Sequence, residues 1–168
     1  MSILQEYESF VCTKEAPAPS LDKQQIRLLH CALGLSTEIL ELDQSSSRTN
    51  TIEEMGDLLW YLTLTKNVLN IPELEIELKV KHINEMTLEP LKVHVEAFVS
   101  LIKKHVIYTK PQELEESFYL MWFSFLRHCV ACNLPIEYII DENRLKLDER
   151  YKSVFTPEES EARRDKTS

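Results

Sequence analysis

Four acidic residues recur at a spacing of three on two neighbouring segments, Glu38 with Glu41 and Glu54 with Asp57. Residues three apart share one face of an α-helix, and a short connection makes two consecutive helices antiparallel neighbours. The four carboxylates are therefore expected to approach one another. Because oxygen-only ligands suit magnesium or manganese, the spacing predicts a divalent metal site.

The surroundings of Glu54 and Asp57 favour a bound cation over a solvated acidic face. Their stripe on the helix continues with apolar side chains, and the other side of this helix is also apolar. Such a helix is buried, and a buried carboxylate without a partner is costly or changes its protonation. The basic residues of the two predicted helices, Lys23, Arg27 and Lys66, do not clearly fall on the acidic face.

Two other interpretations of the acids stay open at this point. In a chain of which 28% of the residues are charged, Glu-x-x-Glu is usually a solvated surface pattern. A di-iron bundle would require Glu-x-x-His pairs, and neither helix carries a histidine three residues after a glutamate. The di-iron interpretation is therefore less favoured than the magnesium site.

A second group of polar residues lies near the end of the chain. Asn143, Lys146 and Arg150 fall on one helical face at spacings of three and four. They are either a charged helix end, where cations are favourable, or an amide and two cations directed at phosphate oxygens. Spacing alone does not decide between these two.

The composition predicts an all-α protein. The chain has 168 residues and only 2 glycines, fewer than all-β folds or glycine-rich phosphate loops require. Apolar periodicity predicts a bundle of about five to six helices, in one domain over residues 1–155 followed by a disordered charged tail over 156–168. The expected helical segments are 3–11, 20–43, 51–70, 88–108, 111–133 and 135–150, with a charged linker or short helix over 73–87. Ser20 and Thr51 are the expected N-caps, Thr51 in a capping box with Glu54.

The charge balance limits the class of partner. A net charge of −9 argues against nucleic acid, although a bound cation can still attract a phosphate-bearing substrate. Neither a membrane span nor an export signal is evident, so we expect a cytoplasmic protein with reduced thiols. Cys129 and Cys132 form a Cys-x-x-Cys motif, but zinc needs about four ligands and no second pair exists in the sequence.

A faint internal repeat relates residues 52–61 to residues 114–123, at an offset of 62. It reflects either duplication of a helix pair or chance similarity between helices of like composition. The acids are not duplicated, because three of the four counterparts are other residue types: Ser100 for Glu38, Lys103 for Glu41 and Tyr119 for Asp57. Only Glu54 has an acidic counterpart, Glu116. The sequence thus predicts a single acidic site, in a bundle of two degenerate helix pairs if the repeat is real.

Residues 29–42, 53–61 and 143–151 together resemble the all-α nucleoside triphosphate pyrophosphohydrolases, the MazG-like superfamily that includes the dimeric dUTPases. These segments carry Glu-x-x-Glu, Glu-x-x-Asp and a later Asn/Lys/Arg/Tyr segment, in the order of the family pattern. The likeness covers roughly residues 20–155. Residues 71–135 form a longer insert than smaller relatives have. The dimeric dUTPases are similar in carrying extra helices, which keeps dUTP among the expected substrates.

The resemblance implies magnesium at the four acids and hydrolysis of a nucleoside triphosphate to the monophosphate and pyrophosphate. It implies phosphate contacts from Lys146 and Arg150, with Asn143 and Tyr151 nearby. We expect a homo-oligomer, in the form of a dimer, although the sequence does not separate monomer, dimer and tetramer. The nucleotide is a small-molecule partner, and neither nucleic acid nor a membrane is expected to bind.

Residue roles follow from this chemistry. A carboxylate that the metal does not saturate takes the proton of the attacking water, and the sequence does not separate Glu38 from Glu41 for this role. The N-terminal segment is a candidate contact for the nucleobase, through Phe10 with His30 or Trp60, although aromatic residues on these helices more often belong to the core. The alternative function is a catalytically inactive helical protein that binds nucleotide or acts as a scaffold. The sequence does not identify the base or the sugar.

Overall fold

A computed structural model describes residues 3–14, 20–72, 89–110 and 112–151. These residues form six helices: α1 (Ile3–Lys14), α2 (Lys23–Gln44), α3 (Arg48–Leu69), α4 (Leu91–Val106), α5 (Leu114–Ala131) and α6 (Ile136–Arg150). The described ranges contain no strand, so the predicted all-α class and helix number are confirmed. None of these helices combines the length and the apolar character needed to cross a bilayer. The predicted linker at 73–87 and the tail at 156–168 lie outside the described residues.

Two helix pairs build the bundle. Helix α2 packs on α3 and α4 packs on α5, while α2 also contacts α4 and α3 contacts α5. Helix α6 lies against α3. The fully buried side chains come from both pairs and from α6, and the largest are Phe98, Phe118, Phe125, Leu28, Leu35, Met55, Leu58 and Ile139. One core therefore fixes the relative positions of the two helices that carry the acids.

The internal repeat has a counterpart in the helix boundaries. Helices α4 and α5 end 62 residues after α2 and α3, respectively, which is the offset found in the sequence. Each pair also packs internally in the same order along the chain. The matching ends are consistent with two related helix pairs, but the helix starts do not keep the same offset.

The N-cap of α2 is Asp22, so the prediction of Ser20 is wrong. Asp22 Oδ1 accepts the Gln25 backbone N–H at 2.8 Å, and Gln25 Oε1 accepts the Asp22 backbone N–H at 3.0 Å. This capping box satisfies two groups that the first turn otherwise leaves unpaired. Ser20 lies two residues too early to make the same contacts.

The N-cap of α3 is Ser47, so the predicted capping box of Thr51 with Glu54 is also wrong. Ser47 Oγ accepts the Asn50 backbone N–H at 3.2 Å, and α3 begins three residues earlier than predicted. The Thr51 hydroxyl instead donates to the Ser47 carbonyl oxygen at 3.0 Å. Glu54 lies in the second turn of α3 and is not needed for capping.

The two candidate caps of α2 can be separated by mutation. Asp22→Ala is expected to lower the free energy of unfolding by about 1 kcal/mol, the usual cost of losing an N-cap. Ser20→Ala is the matched control and is expected to leave it unchanged. Urea unfolding followed by circular dichroism measures both variants. An equal loss in the two, or a loss in Ser20→Ala alone, would contradict the observed boundary.

Candidate metal centre

Three carboxylates converge between α2 and α3. One oxygen each from Glu38, Glu41 and Glu54 lies within 4.8 Å of the other two. Glu38 and Glu54 are partly buried between the helices, whereas Glu41 is exposed. The predicted approach of the two acidic pairs is therefore observed for three of the four acids, and the group opens to solvent on the Glu41 side.

Burial and mutual repulsion both act on these acids. Burial first, and then the charges of Asp57, Glu41 and Glu54, together raise the pKa of Glu38 to about 7. Burial first, and then the neighbouring carboxylates, likewise raise the pKa of Glu54 to about 7, although Lys146 lowers it. Near neutral pH these groups thus favour either a bound proton or a compensating cation.

The donor set fits a hard divalent ion. All three groups offer carboxylate oxygens, the ligands that magnesium and manganese prefer. Two oxygens bound to one magnesium ion lie at most about 4.2 Å apart, since each bond is about 2.0–2.1 Å long. Oxygens within 4.8 Å of one another therefore need only a small adjustment of flexible glutamate side chains.

The fourth acid, Asp57, is held by α6. Its Oδ2 forms an ion pair with Lys146, and its Oδ1 accepts a hydrogen bond from Asn143 Nδ2 at 3.0 Å. The Lys146 ammonium also lies 3.4 Å from Glu53 Oε1. The structure thus brings the predicted phosphate-binding residues Asn143 and Lys146 to the acidic site, where they contact Asp57.

Gly56 permits this approach of α6 to α3. A Cβ atom at position 56 would lie 2.9 Å from both Cβ and Nδ2 of Asn143, closer than real Cβ contacts. Asn143 Cβ belongs to the helix framework and cannot swing away as a flexible tip could. A side chain at this position would therefore push apart the helices that carry Asp57 and Asn143.

Gly34 on α2 likewise leaves room for a neighbouring side chain, in this case the ring of Tyr61. A Cβ atom there would lie 2.1–2.4 Å from ring carbons of Tyr61, so the Tyr61 ring occupies the space directly over the α2 backbone. Burial raises the pKa of Tyr61, and the charges of Glu38 and Asp57 add to the effect. Its phenol therefore stays protonated at neutral pH and can donate a hydrogen bond beside the acids.

The predicted nucleobase contacts are only partly assembled. His30 meets Trp60 and Tyr61 edge to face, with ring centroids 6.1 and 5.6 Å apart. Phe10 instead stacks on Tyr7 within α1, at 6.4 Å. His30 and Trp60 thus form one exposed aromatic group with Tyr61 next to the acids, and Phe10 contacts another aromatic residue.

The last two predicted contacts lie at the end of α6. Arg150 is buried, with 9% of its surface exposed. Tyr151 lies close enough to Tyr61 for its charge to raise the pKa of Tyr61. The end of α6 therefore lies near Tyr61, and the contacts of the predicted face with the acids are made by Asn143 and Lys146.

Sequence reasoning missed two residues of the site, Tyr61 and Glu53. Tyr61 lies four residues after Asp57 and so shares its helix face, which was the available signal. Glu53 lies directly before Glu54, and a helix turns about 100° per residue, so the two carboxylates point in different directions. Glu54 reaches α2, whereas Glu53 reaches α6 through Lys146.

An open groove adjoins the ion pairs. It lies between α3 and α6, has a volume of about 670 Å³, and is lined by Glu53, Asn143, Lys146 and Glu142 among others. A ligand that contacts Lys146 can therefore enter along α6. A separate cleft of about 750 Å³, lined by Asp22, His105 and Tyr119 among others, lies away from the acids.

Comparison with protein-family models, with curated proteins and with solved structures finds no match for this chain.

The raised pKa values predict a pH-dependent stability in the presence of a chelator. Folding raises the pKa of Glu38 from 4.5 to about 7, so the folded state binds more protons than the unfolded state between these values. This stabilisation is fully present below the unfolded pKa and is lost as the pH rises through about 7. We therefore expect the free energy of unfolding of the wild type, relative to that of Glu38→Gln, to fall with rising pH.

Urea unfolding in EDTA at about pH 5 and about pH 7.5 measures this difference, because the two values span most of the expected change. Magnesium added in place of EDTA is expected to stabilise the wild type more at the higher pH, since protons compete with it for the same oxygens. A difference between wild type and variant that does not depend on pH would contradict the raised pKa of Glu38.

Proposed function

We propose that this protein is a magnesium-dependent nucleoside triphosphate pyrophosphohydrolase, which converts a (d)NTP and water to the (d)NMP and pyrophosphate. The observation that carries the proposal is the convergence of Glu38, Glu41 and Glu54 within 4.8 Å, beside a lysine delivered by another helix. This is the combination that hydrolysis of a phosphoanhydride needs, namely carboxylates for a divalent ion and a cation for the departing phosphates. The sequence prediction of a cytoplasmic location belongs with this proposal.

The carboxylates would divide the work between metal binding and proton transfer. Glu38, Glu41, Glu54 and Asp57 would hold magnesium, which when bound supplies a Lewis acid for the α-phosphoryl group and an activated water. Glu38 is one candidate for the general base, because a pKa raised to about 7 suits a group that must accept a proton near neutral pH. Glu41, at the solvent-exposed side of the same group, is the other candidate.

The α6 residues would bind the phosphate chain. Lys146 carries an ammonium at the edge of the acidic group and faces the groove between α3 and α6. It would neutralise negative charge that develops on the pyrophosphate as the bond to the α-phosphorus breaks. Arg150, one turn further along α6, would add a second cation of the kind that recognises phosphate oxygens.

The nucleobase would lie on the aromatic group formed by His30, Trp60 and Tyr61. His30 and Trp60 are both exposed, and α2 carries His30 two turns before Glu38. An exposed aromatic ring beside the acids suits stacking of a base. Nothing in these contacts distinguishes one base from another.

The repeat supplies a matched control for the activity. Glu54→Gln removes a candidate metal ligand, and Glu116→Gln makes the same change at the corresponding position of the second helix pair, where the carboxylate is exposed. We expect Glu54→Gln to lower kcat/KM at least about 100-fold. Mutation of a residue that only hydrogen-bonds a metal ligand already lowers metal affinity or activity about 10- to 100-fold. Glu116→Gln is expected to stay within about twofold of the wild type, as surface substitutions usually do.

The assay is incubation with magnesium and a panel of nucleotides, with the products separated by ion-exchange chromatography. Monophosphate with pyrophosphate is the expected product pair. Diphosphate with orthophosphate would refute the proposed reaction. Stabilisation by magnesium and nucleotide without turnover of any nucleotide would favour the alternative, an inactive nucleotide-binding protein.

The exposed face of α2 supports the expected dimer. Ile26, Leu33 and Leu40 follow one another at intervals of seven residues and are 56%, 69% and 48% exposed. Basic residues, Lys23 among them, flank this stripe in the first half of α2, and acidic residues, Glu41 among them, flank it in the second half. An antiparallel pair of α2 helices centred on Leu33 would therefore set opposite charges against each other, which suits a second copy of the chain.

Leu33→Glu is expected to convert the dimer to a monomer, because it introduces a charge at the centre of that contact. Val130→Glu is the matched control, since Val130 is 81% exposed on α5, away from α2, and the charge change is the same. Light scattering coupled to gel filtration gives the molar mass of each. A monomeric wild type, or a dimer that survives Leu33→Glu, would contradict this contact.

A further inference from the structure

Lys146 has two carboxylate partners on α3. Its Nζ forms an ion pair with Asp57 Oδ2 and lies 3.4 Å from Glu53 Oε1. All three side chains are largely enclosed, with 12% of Lys146, 24% of Asp57 and 17% of Glu53 exposed. The ammonium therefore lies between two acids four residues apart, in surroundings where leaving it unpaired would be costly.

The same contact creates a competition at Asp57. Both Asp57 oxygens accept hydrogen bonds from α6, one from Lys146 and one from Asn143. A divalent cation bound at Glu38, Glu41 and Glu54 that also engaged Asp57 would stand close to the ammonium, and two positive charges on one carboxylate repel. Lys146 must then weaken its contact with Asp57 or the cation must do without this ligand.

The lysine side chain can resolve the competition locally. An ammonium has three donors on a flexible four-carbon stem, so it can keep one acceptor while it releases another. Glu53 and Asp57 lie one turn apart on the same helix, and both are within reach of Nζ in one conformation. The exchange requires no movement of α6 relative to α3.

We propose that Glu53 is a positioning residue, which retains the Lys146 ammonium beside the acidic group when a divalent cation engages Asp57. Lys146 then exchanges one carboxylate for another and stays at the mouth of the groove, where phosphate oxygens would meet it. The proposal rests on the proposed function, because it takes Glu38, Glu41 and Glu54 as a divalent cation site. It adds a role for Glu53 that neither the spacing of the acids nor the ligand set requires.

Calorimetric titration with Mn²⁺ tests the proposal in four proteins: the wild type, Glu53→Gln, Lys146→Met and the double variant. Glu53→Gln is expected to weaken Mn²⁺ binding about fivefold or more, since groups in direct contact usually couple at this level. Lys146→Met is expected to tighten it, because the competitor for Asp57 is gone. In the Lys146→Met background, Glu53→Gln is expected to weaken Mn²⁺ binding by less than about twofold.

The double-variant cycle separates positioning from simple charge. If Glu53 acts only as a nearby negative charge, its removal weakens Mn²⁺ binding equally with and without Lys146, and that result overturns the proposal. Glu142→Gln is the control, because Glu142 lines the same groove and is expected to leave Mn²⁺ binding unchanged. Circular dichroism and thermal unfolding confirm that each variant is folded.

The two proposals fail differently. A folded wild type that binds no Mn²⁺ overturns the proposed function and this inference together. A wild type that binds Mn²⁺ and releases pyrophosphate, but shows no coupling between Glu53 and Lys146, overturns this inference alone.

Discussion

Repulsion among carboxylates on α2 and α3 is the constraint around which this end of the bundle is arranged. Glu38, Glu41 and Glu54 lie within 4.8 Å of one another, and burial adds to the cost of charging Glu38 and Glu54. Like charges at this separation oppose the packing of the two helices. The apolar contacts of the shared core, among them Leu35 and Leu58, must hold α2 and α3 together against it.

Helix α6 relieves part of this repulsion. It packs on α3, and its Lys146 side chain contacts Asp57 and Glu53 on that helix. The second pair has the same order of helices but carries Ser100, Lys103 and Tyr119 where the first has acids. Large aromatic residues, Phe98 and Phe118 among them, are fully buried there. The first pair thus holds the charged groups, and the second contributes much of the core that keeps them in place.

The helices were predictable because apolar periodicity is a local property of the chain. The stripe of Leu28, Leu35, Ile39 and Leu42 on α2 is buried, and so is much of α3. Cap positions were not predictable, since several polar residues precede each helix and only the folded geometry selects Asp22 over Ser20. The approach of three acids followed from spacing and antiparallel packing alone.

The partners of the site were harder to predict because they depend on contacts between distant parts of the chain. Lys146 was expected at the phosphates, but spacing gave no indication that it pairs with Asp57 and Glu53, about 90 residues earlier. In the sequence, Tyr61 is one more residue on an apolar stripe, and only the fold places its ring over Gly34. Such roles depend on which side chains meet across helices, and a helical pattern does not contain that information.

The two glycines make the site vulnerable to ordinary protein engineering. A glycine inside a helix is the first choice for replacement by alanine, which usually strengthens a helix by about 1 kcal/mol. In this chain both glycines lie where another residue occupies the space of the missing methyl group, Tyr61 over Gly34 and Asn143 over Gly56. A screen that selects only for heat resistance would therefore meet opposing effects at these positions. Helical content could rise while the aromatic ring and α6 were displaced from the acids.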